Sequence, residues 1–209
     1  MCDSCEDSKK FKIIVIGDPE CGKTSLLVRY TLGTFLRDAI TTIGVDIQTK
    51  TLTINNQKIT LQFWDTAGQE KYRRCLVKHF YRGADAIVFV YDVSNSRSYD
   101  SIIRWLNEAR LYCMPDAIKV LVGNKCDKIA TVRKREAEKF ARAHDMMLFE
   151  TSAKCHLLGD KVDSVFLYIA NVLSMQNTPK SGFGTIKITL DKEENNKRSR
   201  KERWSKKCC

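Results

Sequence analysis

A three-layer α/β domain with a mostly parallel sheet accounts best for this chain of 209 residues. Three features point to it. Short Val/Ile-rich runs recur along the chain. Segments with apolar residues at every third or fourth position separate them. The first run ends in a glycine-containing loop that opens a helix. In such folds ligands sit at the carboxyl ends of the strands, so chemistry is sought in the loops that follow each run.

The elements follow in order. Phe11–Gly17 (FKIIVIG) reads as a buried strand ending in glycine, and a helix is expected from Lys23 to Leu32. Val45–Ile54 and Lys58–Trp64 read as strands joined at the turn pair Asn55-Asn56. Ala86–Tyr91 is an apolar run of strand type. Ser98–Leu111 has helical periodicity through Ile102, Trp105, Leu106 and Ala109. Lys119–Val122 and Met147–Phe149 read as short strands, Val132–Ala143 as helix, and Val162–Leu173 as amphipathic helix. After about Gln176 the periodicity is lost and the chain turns polar and charged, as expected of a flexible tail. The organisation expected is a disordered N-terminal tail over 1–10, one domain over 11–176 and a tail over 177–209.

Composition narrows the class. Hydrophobic residues at 43% and charged residues at 29% exclude global disorder. No apolar run approaches the ~20 residues of a membrane helix. Met1–Lys10 is polar and charged, unlike a signal peptide, so the nine cysteines are expected to be mostly reduced thiols. A net charge of +11 calls for an acidic partner: nucleic acid, nucleotide or anionic membrane. Position separates these. Residues 197–207 hold seven basic side chains against Glu202, whereas 24 basic and 18 acidic residues are spread over 11–176.

Gly17-Asp18-Pro19-Glu20-Cys21-Gly22-Lys23-Thr24 fits G-x-x-x-x-G-K-[ST] between an expected strand and an expected helix. Glycines let the backbone wrap a phosphate, successive N–H groups form an anion nest, and the helix N-terminus adds partial positive charge. Lys23 is placed to reach the β- and γ-phosphates, and the Thr24 hydroxyl to ligate Mg²⁺; Ser25 continues the first turn.

Three further segments each follow an expected strand: Asp65-Thr66-Ala67-Gly68-Gln69, Asn124-Lys125-Cys126-Asp127 and Thr151-Ser152-Ala153-Lys154. With the phosphate loop, in this order, the set resembles the Ras-like small GTPases over residues 11 to about 176. Within that superfamily Ile43-Gly44-Val45-Asp46-Ile47, Leu61–Glu70, Phe80-Tyr81-Arg82-Gly83-Ala84, Ala86–Ser94, Ile103-Arg104-Trp105-Leu106 and the terminal Cys208-Cys209 look like a Rab. Lys10–Asp18 and Ala143–Lys154 look most like Rabs of the Golgi and autophagy routes.

The resemblance implies a P-loop NTPase fold of the Ras-like G-domain type: six strands, mostly parallel, one antiparallel edge strand, helices on both faces. It implies a switch that binds GTP and GDP with Mg²⁺ and hydrolyses GTP slowly. Asp127 then reads the N1–H and 2-amino group of guanine, Asn124 the other edge, and the Ala153 N–H guanine O6. The Lys125 stem lies over the ring, Ser152 and Lys154 flank it, and Phe35 either stacks edge-on against the base or tucks into the core. Thr42 joins Thr24 and Asp65 at Mg²⁺, Gly68 contacts the γ-phosphate, and Gln69 orients the attacking water. Lys23, Thr42 and Gln69 are the catalytic candidates, and no arginine in the expected site is an obvious finger in cis.

Effectors would read Ile43–Gln48 and Gln69–Tyr81. Exposed Ile43, Ile47, Phe63, Trp64 and Tyr72 would form the contact patch, although ordinary strand packing explains Phe63 equally well. Ile47 stands where Rabs usually carry Phe. Pro19 and Glu20 stand where Rabs commonly carry small residues. Altered hydrolysis through crowding near Gln69 is one expectation, a tolerant loop another, and a GTP-binding scaffold with little turnover the alternative function.

Cys208-Cys209 matches the double-cysteine prenylation ending, with the basic run 197–207 beside it for an anionic leaflet. Ile186, Ile188 and Leu190 are available to a prenylation escort or to the domain itself. The expected partners are guanine nucleotide, exchange factor, GTPase-activating protein, prenylation escort, dissociation inhibitor and effectors. Nucleic acid is not expected, and the chain is expected to be a monomer. The expected place is the cytoplasmic face of intracellular membranes, Golgi-related, lipid-anchored, with a cytosolic pool.

Overall fold

The computed structural model describes residues 8–35, 42, 44–66, 77–155 and 159–176, all within the first of two units, Met1–Thr178. The elements run β1 (Lys9–Ile16), α1 (Lys23–Leu32), β2 (Val45–Ile54), β3 (Gln57–Thr66), α2 (Val77–Tyr81), β4 (Ala86–Asp92), α3 (Ser96–Asp100), α4 (Ile102–Tyr112), β5 (Ile118–Asn124), α5 (Lys134–Ala143), β6 (Met147–Glu150) and α6 (Gly159–Gln176). Among the described residues the strands form one six-stranded sheet in the order β2-β3-β1-β4-β5-β6. Only β2 runs antiparallel to its neighbour, joined to β3 by a turn in which Asn55 and Asn56 both take positive φ.

The alternation of side chains along β1 explains why both faces of the sheet are covered. Phe11, Ile13 and Val15 point to one core, where Leu26, Leu27 and Tyr30 of α1 meet Val162, Val165, Phe166, Ile169 and Leu173 of α6. Ile14 and Ile16 point to the other, with Ile102, Trp105, Leu106 and Ala109 of α4 and Ala137 and Ala141 of α5. The central strand β4 is buried along its whole length, Ala86, Val88 and Val90 facing one core and Ile87, Phe89 and Tyr91 the other.

The largest departure from the sequence reading is the helix expected over Ser98–Leu111. The chain forms two pieces instead, breaking at Ser101. Side-chain bonds to the backbone flank the break. The Asn95 side chain caps the Arg97 N–H, Ser98 Oγ donates to Asn95 O at 2.7 Å, and Ser101 Oγ donates to Arg97 O at 3.0 Å. Such local bonds compete with the regular helical ladder. Helix α5 starts at Lys134 rather than Val132, because Arg133 is extended (φ −72, ψ 127) while the Val132 N–H bonds Val93 O at 3.1 Å. Helix α2 was not anticipated.

Phe63 settles between its two readings. It is fully buried, 5.6 Å from the Tyr30 ring and 5.1 Å from Phe166, while Tyr30 lies 4.3 Å from Phe166. It is therefore a core residue, not part of a contact patch. This aromatic trio locks α1 and α6 onto β3. Phe166→Ala leaves a cavity at its centre, and the expected cost is about 3–5 kcal/mol. Urea unfolding of both proteins at one fixed nucleotide concentration measures it, since bound ligand adds to apparent stability.

Candidate functional site

The site lies where the carboxyl ends of β1, β3, β5 and β6 converge, beside the point where strand order reverses about β1. Gly17 leaves β1 with φ 150, and a Cβ there would meet Val90 O at 2.1 Å. Only glycine lets the loop turn against β4 at this distance. Gly22, with φ 89, caps α1, and its own Cβ would lie 2.5 Å from Asn124 Nδ2. The helix begins immediately at Lys23, and its first N–H groups, through Ser25, precede the first intrahelical bond, Leu26 N to Gly22 O at 2.9 Å. Those donors and the helix dipole face the loop and favour an anion.

Lys23 is nearly buried. Its ammonium donates to Gly17 O at 3.0 Å and Asp18 O at 2.9 Å, and approaches Cys21 Sγ at 4.0 Å. Cys21 is a buried free thiol whose pKa is pushed up by desolvation, and it donates to Asp18 O at 3.0 Å. Its role is to hold the loop from inside. Pro19 and Glu20 are exposed at the loop's tip, Glu20 with φ 63. Gln69, which Pro19 was expected to crowd, lies outside the described residues, as do Gly68, Ile43, Tyr72, Cys208 and Cys209.

Three hard oxygen groups converge beside Lys23. Thr24 Oγ1 donates to Asp65 Oδ2 at 2.5 Å and lies 2.7 Å from Thr42 Oγ1. Asp65 is completely buried at the end of β3, and its Oδ1 has no hydrogen-bond partner among the described residues. Burial raises its pKa, opposed by the Thr24 hydrogen bond and the Lys23 charge. A buried carboxylate with a free oxygen is costly unless a cation or donor joins it. Two hydroxyls and a carboxylate, all oxygen, form a donor set suited to Mg²⁺.

The third loop cluster is laced by Asn124, at the end of β5 and 1% exposed. Its Nδ2 donates to Cys21 O at 3.0 Å and Gly22 O at 3.4 Å. Its Oδ1 accepts from Thr151 Oγ1 and the Ala153 N–H, both at 3.4 Å. The next residue, Lys125, sits at φ 63, and its ammonium pairs with Asp92 Oδ2 at 2.7 Å. Burial pushes the Asp92 carboxyl upward, but Lys125 and Ser94 outweigh it and hold the pKa below the ordinary range. Asp127 is exposed, with Oδ1 accepting from Ser152 Oγ at 2.5 Å. Ser152 is fully buried and thus stands behind Asp127 as a brace. Lys154 is exposed and Phe35 half-buried.

Sequence reasoning missed five contributors. Arg29 of α1 donates to Ala153 O at 2.8 Å and Lys154 O at 3.3 Å, fixing the last loop to the helix that starts the site; nothing local to Arg29 signals this. Asp92 ends an apolar strand, the same placement as Asp65, and that position was a readable sign. Thr151 receives Cys126 N–H at 3.0 Å and Cys126 Sγ–H at 2.7 Å on its carbonyl. Trp105 and Arg104 reach Asp18 from α4.

Strand β2 presents Val45 and Ile47 at 38% and 46% exposure. Ile47 pairs in register with half-buried Trp64, whose ring lies under Lys12 Nζ at 3.9 Å and 6.2 Å from Phe80.

The Ras family pattern matches residues 12–174 of this chain. The mouse protein "Ras-related protein Rab-33A" is 47% identical over 171 residues, covering 80% of this chain and 72% of the relative. "Ras-related protein Rab-33" of Caenorhabditis elegans is 39% identical over 173 residues, covering 80% and 56%. "Ras-related protein Rab-18" of Lymnaea stagnalis is 47% identical over 145 residues, covering 68% and 71%. The family match over residues 12–174 and relatives at this identity make the chain a member of the Rab family of Ras-like small GTPases, which hydrolyse GTP.

Proposed function

We propose that the chain is a Mg²⁺-dependent GTP/GDP switch that recruits effectors to an intracellular membrane and so directs vesicle traffic. The observation that carries this reading is the buried Asp65 carboxylate, with one oxygen unpartnered among the described residues, facing Thr24 and Thr42 beside Lys23. Thr24, Thr42 and Asp65 would hold the metal. Mg²⁺ bound there would neutralise phosphate charge.

The chain's own groups do the rest. The nest from Gly17 to Thr24 and the first turn of α1 bind phosphate oxygens. Lys23 needs little movement to exchange loop carbonyls for phosphate. Ser152 holds Asp127 so that both carboxylate oxygens can receive guanine N1–H and its 2-amino group. Asn124 and the Ala153 N–H complete the base site, Lys125 and Phe35 bound the ring, and Lys154 flanks it. Gln69 orients a water whose oxygen bonds to the γ-phosphorus as the bond to the bridging oxygen breaks. Gly68 and Thr42 sense the γ-phosphate and order the flanking loops.

Val45, Ile47 and Trp64 supply the apolar face read by effectors, and Ile47 in place of an aromatic ring changes which effectors fit. An exchange factor, a GTPase-activating protein, a prenylation escort and a dissociation inhibitor act on the cycle. Prenyl groups on Cys208 and Cys209, with the basic run 197–207, anchor the chain to a Golgi-related cytoplasmic leaflet.

Asp127→Ala removes the bidentate acceptor. GDP affinity should fall about 10–100-fold, the worth of losing a hydrogen bond pair to a charged group. The preference for GDP over inosine diphosphate, which lacks the 2-amino group, should close as well. Calorimetric titration of both nucleotides into both proteins checks this. For the tail, Cys208→Ser/Cys209→Ser should leave the chain in the soluble fraction of a flotation gradient while wild type rises with membranes.

A further inference from the structure

Asp18 is the point at which the phosphate loop is gripped from both sides. From within, its carbonyl accepts Lys23 Nζ at 2.9 Å and Cys21 Sγ at 3.0 Å. From outside, its Oδ1 accepts Trp105 Nε1–H at 2.9 Å and Arg104 NH2 at 3.1 Å. The two outer donors are adjacent on α4 and differ in kind. Trp105 is fully buried among Ile102, Leu106 and Ala109, so the core fixes where its N–H points. Arg104 is half-exposed, its guanidinium 5.4 Å from the Trp105 ring, and it brings the charge.

We propose that Trp105 and Arg104 are positioning residues for the phosphate loop: by clamping the Asp18 carboxylate to α4 they keep Lys23 and the loop backbone in the nucleotide-retaining arrangement, and so set how slowly bound guanine nucleotide leaves. The inference rests on the reading of Gly17–Thr24 as the phosphate site. The physical reasons are two. Lys23 takes its acceptors from Gly17 and Asp18, so a rotation at Asp18 displaces the ammonium that reaches the phosphates. An unclamped aspartate beside a polyphosphate also adds like-charge repulsion, which Arg104 offsets while holding the carboxylate against α4. The Trp105 indole and the α4 backbone thereby couple the second core to the mouth of the site, although neither is read as touching nucleotide.

The test is dissociation of a fluorescent GDP analogue from the full-length protein with Mg²⁺, chased with excess GDP. It is run on wild type, Trp105→Phe, Asp18→Ala and the double variant. A hydrogen bond to a charged group implies that Trp105→Phe speeds release about tenfold. In the Asp18→Ala background the same change should alter the rate less than about twofold, because the acceptor is gone. A merely structural tryptophan would act equally in both backgrounds, and that additivity would overturn the proposal. So would a Trp105→Phe rate equal to wild type. Arg104→Ala, at an exposed position that leaves the core intact, goes through the same cycle; additivity there counts against the clamp equally. Failure of wild type to retain any guanine nucleotide would instead overturn the reading of the phosphate site, and the clamp with it.

Discussion

Parallel strands end with their loops on the same side of the sheet, and polar loops crowded at one edge need something to hold them together. Here that something is the Asn124 carboxamide. It is almost entirely removed from water, and its donors and acceptor reach the phosphate loop at Cys21 and Gly22 and the last loop at Thr151 and Ala153. A buried amide left unpaired costs on the order of 1–3 kcal/mol, so the three loops can take up this arrangement only together. Gly22 carries no side chain because a Cβ would occupy the space of Asn124 Nδ2. The approach between β5 and the start of α1 follows from that one side chain.

Around this centre the charges are arranged by burial. Asp65, fully buried, meets hydroxyls and the Lys23 charge, whereas Asp92 is neutralised by Lys125 and Ser94. Lys125 thus spends its ammonium within the protein. The chain's excess of positive charge is not concentrated at the site. Seven basic residues against one acid in 197–207, and 24 against 18 spread over 11–176, each leave a net +6, so only the former stretch is densely basic.

Much of this was legible before any coordinates. The near-continuous apolar runs Phe11–Gly17 and Ala86–Tyr91 announced strands buried on both faces, and Asn55-Asn56 announced the turn that joins β2 to β3. Gly17, Gly22, Lys23, Thr24, Asp65, Asn124 and Asp127 stood out because each combines a chemical type with a place after a strand. What stayed hidden depended on contacts distant in sequence. Arg29 meets Ala153 and Trp105 meets Asp18 across separations that no local pattern encodes. The split at Ser101, where a serine hydroxyl bonds back to Arg97 O, interrupts a helix the apolar spacing had favoured. Phe63 could be read either way, since an alternating strand tells which residues share a face but not which face is covered.

A guanine nucleotide held with Mg²⁺ by these loops is what the proposed switch requires. The most direct measurement is the nucleotide content of the protein purified without added nucleotide, released by acid and separated by chromatography. The site as described should yield GDP or GTP at about one per chain, as a phosphate nest with a metal-suited carboxylate implies. Most of it should be lost on brief exposure to a Mg²⁺ chelator. Protein that is folded yet carries no nucleotide, carries adenine nucleotide instead, or keeps its nucleotide unchanged by the chelator would contradict the account.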